Sequence, residues 1–460
     1  MARMLFGTDG IRGVAGDPPL DHTTVYAVGV ALGRHLAKSH KDPKVVIGQD
    51  TRESSAWICE SITAGLNSAG VRARSAGVIT TPAVAFLARQ AYDAGIVISA
   101  SHNPWTDNGI KVFGHNGYKL SDETEEQIET VIFDLLHGRV AGFDAKNIPA
   151  RNSDCCASGT DPELLKQYVA WLASQIAGTK LSHLNVLVDC ANGASTPVAH
   201  EVFRACGLQA TFMHDRPNGR NINEQCGALH PEIVAQKVKE SAGKYDMGIT
   251  FDGDADRSLF SDRNGNVVNG DAVLLLCARD MNARGKLKAD TVVATTMSNM
   301  GLEIALRNSG LKMLRAPVGD KYVLEEMNKT GATLGGEQSG HIIFRDGDST
   351  TGDGILTALR VIEAMTHARK SLHELIGDLK VFPQTIKNVR VKEKKPLESL
   401  PEVVFALKQA ETELSGNGRV VVRYSGTEAL ARVMVEAESE QVMKRLTDSI
   451  AGAIQKSIGV

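Results

Sequence analysis

The stretch "DGDADR" places Asp252, Asp254 and Asp256 at alternate positions directly after the apolar run Met247–Phe251. Three carboxylates this close repel one another, and a cation is the natural compensation. An all-oxygen ligand set favours Mg²⁺ or Ca²⁺ over a soft metal, although Mn²⁺ or Zn²⁺ could also occupy three carboxylates. A calcium-sensing loop would need glycine at its sixth position and glutamate at its twelfth. Arg257 and Arg263 stand there instead. The spacing predicts a divalent-metal site at the end of a strand.

A second stretch, "GIVISASHNPWTDNGIKVFG", begins as a buried strand and stops abruptly. Ile96, Val97 and Ile98 give way to Ser101, His102, Asn103 and Pro104, with Lys111 just beyond. A serine hydrolase would want a GxSxG elbow between strand and helix, and none occurs. Serine and asparagine that merely cap an Asx-Pro turn are the competing reading. A serine hydroxyl near a divalent cation suits phosphoryl transfer, which depends on positioning and charge neutralisation.

Two further stretches carry ligand chemistry. "RYSGTEALAR" follows the expected strand 419–422 and offers Arg423, Ser425, Gly426, Thr427 and Arg432. Glycine-turn N–H groups, two hydroxyls and guanidinium forks suit a phosphate dianion. The chain has no G-x₄-G-K-[ST] loop, which argues against a nucleoside triphosphate. "GGEQSGH" sets Glu337, Ser339 and His341 among glycines, a donor and acceptor set that fits a polyol such as a sugar. "FGTDGIRG" adds Arg12 after a turn. His35, His40 and His137 read as ordinary surface or helix residues.

Something must bring these loops together. Strands alternate with amphipathic helices, which implies α/β layers. Three stretches repeat one pattern of strand, polar turn, helix and glycine stop: "KVVIGQDTRESSAWICESITAGLNSAG", "NVLVDCANGASTPVAHEVFRACG" and "TVVATTMSNMGLEIALRNSG". Gly70, Gly207 and Gly310 fall where a helix ends in a left-handed residue. Each copy continues through a short strand and polar loop ("VRARSAGVITTP", "LQATFMHDRPNG", "LKMLRAPVGDKY") to one of the chemical loops. Ligands of open α/β sheets bind beyond the carboxyl ends of strands, so three such domains could each give one loop to a shared cleft. The expected fold is therefore α/β, with three similar domains built on mixed sheets and a C-terminal α+β domain around a central cleft. The expected boundaries are 1–150, 160–255, 256–372 and 376–460, with a linker over 141–161.

The bulk properties fit. A chain of 460 residues is too long for one core. Its formal charge of −3 gives no basic field for nucleic acid and no polybasic membrane patch. No apolar run approaches the roughly 18–20 residues of a bilayer span, and the first residues lack a signal-peptide core. Seven scattered cysteines without CxxC spacing read as reduced thiols of a cytoplasmic protein.

"FGTDGIRG", "SASHNP…NGIK", "DGDADR", "GGEQSGH" and "RYSGTE" occur in the order and spacing of the α-D-phosphohexomutase superfamily, which the whole chain resembles. Within it, "TTMSNMG", "VGDKY" and the double glycine of "GGEQSGH" are similar to the bacterial branch acting on glucosamine phosphates. Alanine stands at 255, where that branch often has glycine. The resemblance implies interconversion of glucosamine 6-phosphate and glucosamine 1-phosphate, supplying UDP-N-acetylglucosamine synthesis. Ser101 would be the phosphoserine, and Asp252, Asp254 and Asp256 with one phosphoserine oxygen would bind one Mg²⁺. A hexosamine 1,6-bisphosphate would be both intermediate and activator. Arg423, Ser425, Gly426 and Thr427 would take the distal phosphate, with Arg432 and Arg257 assisting, while Glu337 and Ser339 hold ring hydroxyls. Lys111, His102, Arg12 and His341 would serve proton transfer or charge stabilisation. Lys111 as a base would need a lowered pKa, which Arg12 and Arg257 could supply. A homodimer is the family expectation. The alternatives are a phosphomannomutase/phosphoglucomutase acting on neutral hexose phosphates, and a non-catalytic sugar-phosphate sensor.

Overall fold

A computed structural model of the chain describes residues 4–7, 9–140, 143, 160–179, 181, 183–347, 349–425 and 429–460. The expected linker 141–161, with Cys155 and Cys156, lies largely outside the described residues. The chain forms two compact units, one of residues 1–296 with 314–376, the other of residues 297–313 with 377–460.

The first sheet contains β1 (Phe6–Gly7), β2 (Gly10–Val14), β3 (Lys44–Gln49), β4 (Arg72–Val78), β5 (Ala94–Ile98) and β6 (Asp107–Gly114), ordered β1-β2-β6-β5-β3-β4. The second contains β7 (Asn185–Asp189), β8 (Gln209–Met213), β9 (Met247–Phe251), β10 (Ser258–Asp262) and β11 (Val267–Val268), ordered β11-β10-β9-β7-β8. The third contains β12 (Thr291–Thr295), β13 (Lys312–Ala316), β14 (Leu334–Gly336) and β15 (Ile342–Phe344), ordered β13-β12-β14-β15.

One topology underlies all three. β6-β5-β3-β4, β10-β9-β7-β8 and β15-β14-β12-β13 are the same order. In each, one strand pairs parallel with the repeat's first strand and antiparallel with the next: β5, β9 and β14. Those three strands are followed by the serine, aspartate and glutamate loops. The sheets are mixed, as expected, and each chemical loop is the turn between the last parallel strand and its antiparallel partner. β5 and β9 are buried at every position, which explains their unbroken apolar character. Gly70, Gly207 and Gly310 adopt φ of 78°, 68° and 74°, as the helix-stop pattern requires.

Ser258 pairs with Phe251 and Asp262 with Met247, so the second sheet runs through the aspartate loop instead of ending at 255. The helix Met300–Asn308 belongs with the C-terminal residues. Asn299 explains this: its side chain donates to Glu436 Oε1 at 2.8 Å and to the Phe382 carbonyl at 3.0 Å.

The smaller unit has its own antiparallel sheet of β16 (Gln384–Arg390), β17 (Gly418–Tyr424) and β18 (Leu430–Ala437), ordered β16-β18-β17. Helices Pro401–Leu414 and Glu440–Ile458 accompany it, and Val403, Val433, Val435 and Ile450 are among its buried core. Among the described residues no helix is long and apolar enough to cross a membrane, and Cys59, Cys190, Cys206, Cys226 and Cys277 are free thiols.

Candidate active site

Beyond β5 the chain turns sharply at Ser101, whose φ of 53° is left-handed. That conformation costs a non-glycine residue roughly 1–3 kcal/mol and persists only where the surroundings over-determine it. They do so here. Ser101 N donates to Ser99 Oγ at 3.0 Å. The Ser101 carbonyl accepts from Arg52 Nη2 at 3.1 Å and Asn223 Nδ2 at 2.9 Å. The same two side chains donate to the Asn103 carbonyl at 2.6 and 3.2 Å. Arg52 is itself buried against Asp50. A Cβ on Gly253 would stand 2.4 Å from the Ser101 carbonyl oxygen, so only glycine lets the aspartate loop approach this closely.

The turn includes an Asn103 N–H to Ala100 carbonyl bond at 3.1 Å, as simple turn chemistry would have it. That chemistry leaves unexplained where the serine points. Ser101 Oγ donates to Asp252 Oδ2 at 2.6 Å, with both residues buried. One oxygen from each of Asp252, Asp254 and Asp256 lies within 4.8 Å of the others. Asp254 Oδ1 and Asp256 Oδ1 are buried without a hydrogen-bond partner. Burial, then Asp256 and Asp254, push the Asp252 carboxyl well above its usual range. Burial would raise Asp256 too, but Lys111, His341 and Arg257 outweigh it and hold that carboxyl down. Buried, hard oxygens left without donors are what a divalent cation would satisfy, so the residues fit one.

The structure overturns the lowered pKa expected for Lys111. Burial alone would lower it, but Asp254, Asp9 and Asp256 surround the ammonium and raise it instead. Lys111 Nζ lies 2.9 Å from Asp254 Oδ2, 3.1 Å from Asp9 Oδ2 and 3.7 Å from Asp256 Oδ2. Arg12 opposes this only weakly, and its own guanidinium is turned to Asp9 and to the Ala100 carbonyl at 3.2 Å. Lys111 is a fixed cation in this arrangement.

His102 is half-buried with Nδ1 3.5 Å from Ser101 Oγ, and burial followed by Arg257 and Arg12 lowers its pKa. His341 is buried, with Nδ1 3.7 Å from Asp256 Oδ1 and Nε2 3.8 Å from Asp320 Oδ2. Gly352 N–H donates to His341 Nε2 at 3.0 Å, which selects the neutral tautomer with its proton on Nδ1. Burial disfavours the imidazolium, yet Asp256, Asp320 and Glu337 raise the pKa overall. Protonation would therefore have to break the Gly352 bond.

Glu337, His341, Arg257 and Asp256 line a cavity of about 270 Å³ together with Lys119 and Asp320. Glu337 Oε1 accepts from Gly319 N at 3.0 Å, and exposed Ser339 Oγ donates to Oε2 at 3.3 Å. Gln338 Nε2 donates to Asp271 Oδ2 at 3.2 Å. Arg257 N donates to Asp252 Oδ1 at 3.2 Å, and its side chain stays firmly charged because Asp256 and Asp252 overcome its burial.

In the smaller unit Arg423 and Arg432 sit in strands, not in a loop, and face each other across β17 and β18. Like charges directly opposed are unfavourable unless something compensates. Ser425 is buried at the end of β17, and Lys394 Nζ reaches its carbonyl at 2.7 Å. Gly426 and Thr427 lie outside the described residues.

Several site residues escaped the sequence reading. Lys119 bridges Asp9 at 2.6 Å and Asp320 at 2.7 Å, joining "FGTDGIRG" to "VGDKY". Arg52 and Asn223 support the serine turn, and Lys394 stands beside Ser425. Only their positions in the fold make them notable; Asp9 and Asp320, inside quoted motifs, were the available signals.

Models of the phosphoglucomutase/phosphomannomutase family match residues 3–137 (alpha/beta/alpha domain I), 166–265 (alpha/beta/alpha domain II), 269–382 (alpha/beta/alpha domain III) and 386–453 (C-terminal domain). The chain belongs to this family, within the phosphohexomutase superfamily. A phosphoglucosamine mutase of Koribacter versatilis (strain Ellin345) is 61% identical over 463 residues, covering 100% of this chain and 98% of that protein. The fold is shared with a phosphoglucomutase/phosphomannomutase family protein from Burkholderia thailandensis (TM-score 0.77, 23% identity, 99% of each chain). It is shared too with Aspergillus fumigatus N-acetylphosphoglucosamine mutase in complex with GlcNAc-6P and magnesium (TM-score 0.61, 20% identity, 99% of this chain and 96% of that one). The enzyme is a phosphomutase, and its full-length kinship lies with the phosphoglucosamine mutases.

Proposed function

We propose that this phosphomutase interconverts glucosamine 6-phosphate and glucosamine 1-phosphate, with Ser101 as the phosphoryl carrier. The observation that carries the assignment is Ser101 Oγ at 2.6 Å from Asp252 Oδ2, on a strained turn beside three buried aspartates. In the forward step a sugar hydroxyl oxygen attacks phosphorus on phospho-Ser101. The new P–O bond forms as the bond to Ser101 Oγ breaks, giving a bound 1,6-bisphosphate. The hydroxyl proton leaves to a base, and Ser101 Oγ takes up a proton. The second phosphoryl group then returns to Ser101 by the reverse of these changes.

Asp252, Asp254 and Asp256 would hold Mg²⁺, which when bound supplies charge withdrawal from the phosphoryl oxygens. Lys111 holds a permanent positive charge among the aspartates, while Arg12 fixes the Ala100 carbonyl beside the serine. His102 stands as a group able to accept a proton, and His341 accepts one only by giving up its bond from Gly352 N–H. Glu337 and Ser339 hold ring hydroxyls at the cavity with Arg257, and Arg423, Ser425 and Arg432 bind a phosphate dianion.

The test follows ³¹P resonances with Mg²⁺ and a trace of hexose 1,6-bisphosphate, using glucosamine, glucose and mannose 6-phosphates in parallel. Preferential formation of glucosamine 1-phosphate by the wild type, with Ser101→Ala inert, is the expected result. Faster turnover of the neutral sugars would overturn the substrate and keep the mechanism. Silence on all three, with Ser101 unphosphorylated by mass spectrometry, would favour a sugar-phosphate sensor.

A further inference from the structure

Asp254 is gripped from outside its own sheet. Thr81 opens the helix Thr81–Ala91, which follows the first sheet's β4 and whose N-cap is Thr80. It meets Asp254 twice: Thr81 N donates to the Asp254 carbonyl at 3.0 Å, and Thr81 Oγ1 donates to Asp254 Oδ2 at 2.6 Å. Both residues are 1% exposed. Lys111 Nζ donates to the same Oδ2 at 2.9 Å. The other oxygen, Oδ1, is buried with no hydrogen-bond partner.

The terminal torsion of an aspartate is broad, so an unrestrained carboxylate presents either oxygen. Two donors on Oδ2 remove that freedom and leave Oδ1 as the oxygen without a hydrogen-bond partner. Asp252 differs, because Ser101 Oγ and Arg257 N already engage its two oxygens. The orientation of Asp254 is thus set by Lys111 together with Thr81, a residue of the "ITTP" segment to which no role falls in the phosphoryl chemistry itself.

We propose that Thr81 is a positioning residue for the divalent cation: its hydroxyl holds Asp254 Oδ2 and thereby commits Asp254 Oδ1 as a metal ligand. Outer donors to a ligating carboxylate commonly govern affinity by about 10–100-fold. The proposal rests on the reading that the three aspartates bind a cation, and the test separates the two.

Metal-stripped full-length protein is titrated with Mn²⁺, reading free Mn²⁺ by electron paramagnetic resonance, with thermal melts run alongside. Thr81→Val, nearly isosteric but without the hydroxyl, should bind Mn²⁺ about 10–100-fold more weakly. Thr81→Ser, which restores the donor, should return affinity to near the wild-type value. Where Thr81→Val does not fold, Thr81→Ala removes the same hydroxyl without placing a methyl against the carboxylate, and the same loss is expected. Wild-type affinity in a folded variant lacking the hydroxyl would overturn the role of Thr81 and leave the metal site standing. No Mn²⁺ binding by the wild type would overturn both.

Discussion

Lys111 Nζ and Asp254 Oδ2 lie 2.9 Å apart with side chains only 2% and 1% exposed. Asp9 and Asp256 approach the same ammonium, so one cation answers three carboxylates. Removing one partner of a buried pair leaves uncompensated charge and costs about 3–5 kcal/mol. Lys111→Met keeps most of the volume and removes the charge. In EDTA its urea midpoint should fall well below that of the wild type. Added Mg²⁺ should narrow the gap, because a bound cation would neutralise the same carboxylates. Equal midpoints in EDTA would mean that the aspartates do not need this lysine.

Asn223 reaches the nucleophile's turn from the second domain's loop, donating to both the Ser101 and Asn103 carbonyls. Because Ser101 sits at φ 53°, the turn relaxes when such restraints are lost. A displacement of about 1 Å can cost on the order of 100-fold in rate. Asn223→Ala should therefore lower kcat by roughly that factor, with KM nearly unchanged since no substrate contact is removed. A rise in KM at constant kcat would place Asn223 in substrate binding instead.

The parts that were legible in the sequence are those written in local chemistry. Asp252, Asp254 and Asp256 announced themselves by alternate spacing after an apolar strand, and Ser101 by a strand that ends in hydroxyls and proline. The threefold topology followed from the repeated glycine stops. Charge balance was not legible. Arg12 and Arg257 as neighbours of Lys111 point to a lowered pKa, but folding sets Asp254, Asp9 and Asp256 around that ammonium, and together they outweigh Arg12. Nor does "RYSGTEALAR" show that Arg423 and Arg432 oppose each other in two paired strands, because that register appears only in the folded sheet. Ala255 shows a departure whose meaning needs coordinates: its φ of 55° is the conformation that glycine adopts more readily.

His341 depends on a neighbour with no side chain. A Cβ on Gly352 would stand 2.5–2.6 Å from three atoms of the His341 ring. Gly352→Ala must displace the imidazole from between Asp256 and Asp320, since the ring is buried and cannot swing into solvent. Overpacking of this kind costs about 1–3 kcal/mol. Turnover should fall by more than that stability loss explains, measured at a temperature where the variant is fully folded. Unchanged kcat/KM would show that His341 has no part in the reaction.

Asp353 gives the stability curve a recognisable slope. It caps the buried helix Gly354–Ala368, accepting from Leu356 N at 2.9 Å and from Tyr168 Oη at 2.6 Å. Burial nevertheless raises its pKa from 3.8 to about 6, against the pull of those two donors. Between those values the folded state binds more protons at this site than the unfolded chain does. Stability from this group therefore falls as pH rises from about 4 to 6, by roughly 3 kcal/mol in all. Asp353→Asn keeps an oxygen acceptor and cannot ionise. Its stability relative to the wild type should climb across that pH range and level off above it, whatever constant offset the substitution introduces. Urea unfolding at intervals from pH 4 to 7 measures the difference. A flat difference would mean that Asp353 ionises as easily in the folded protein as in the unfolded chain.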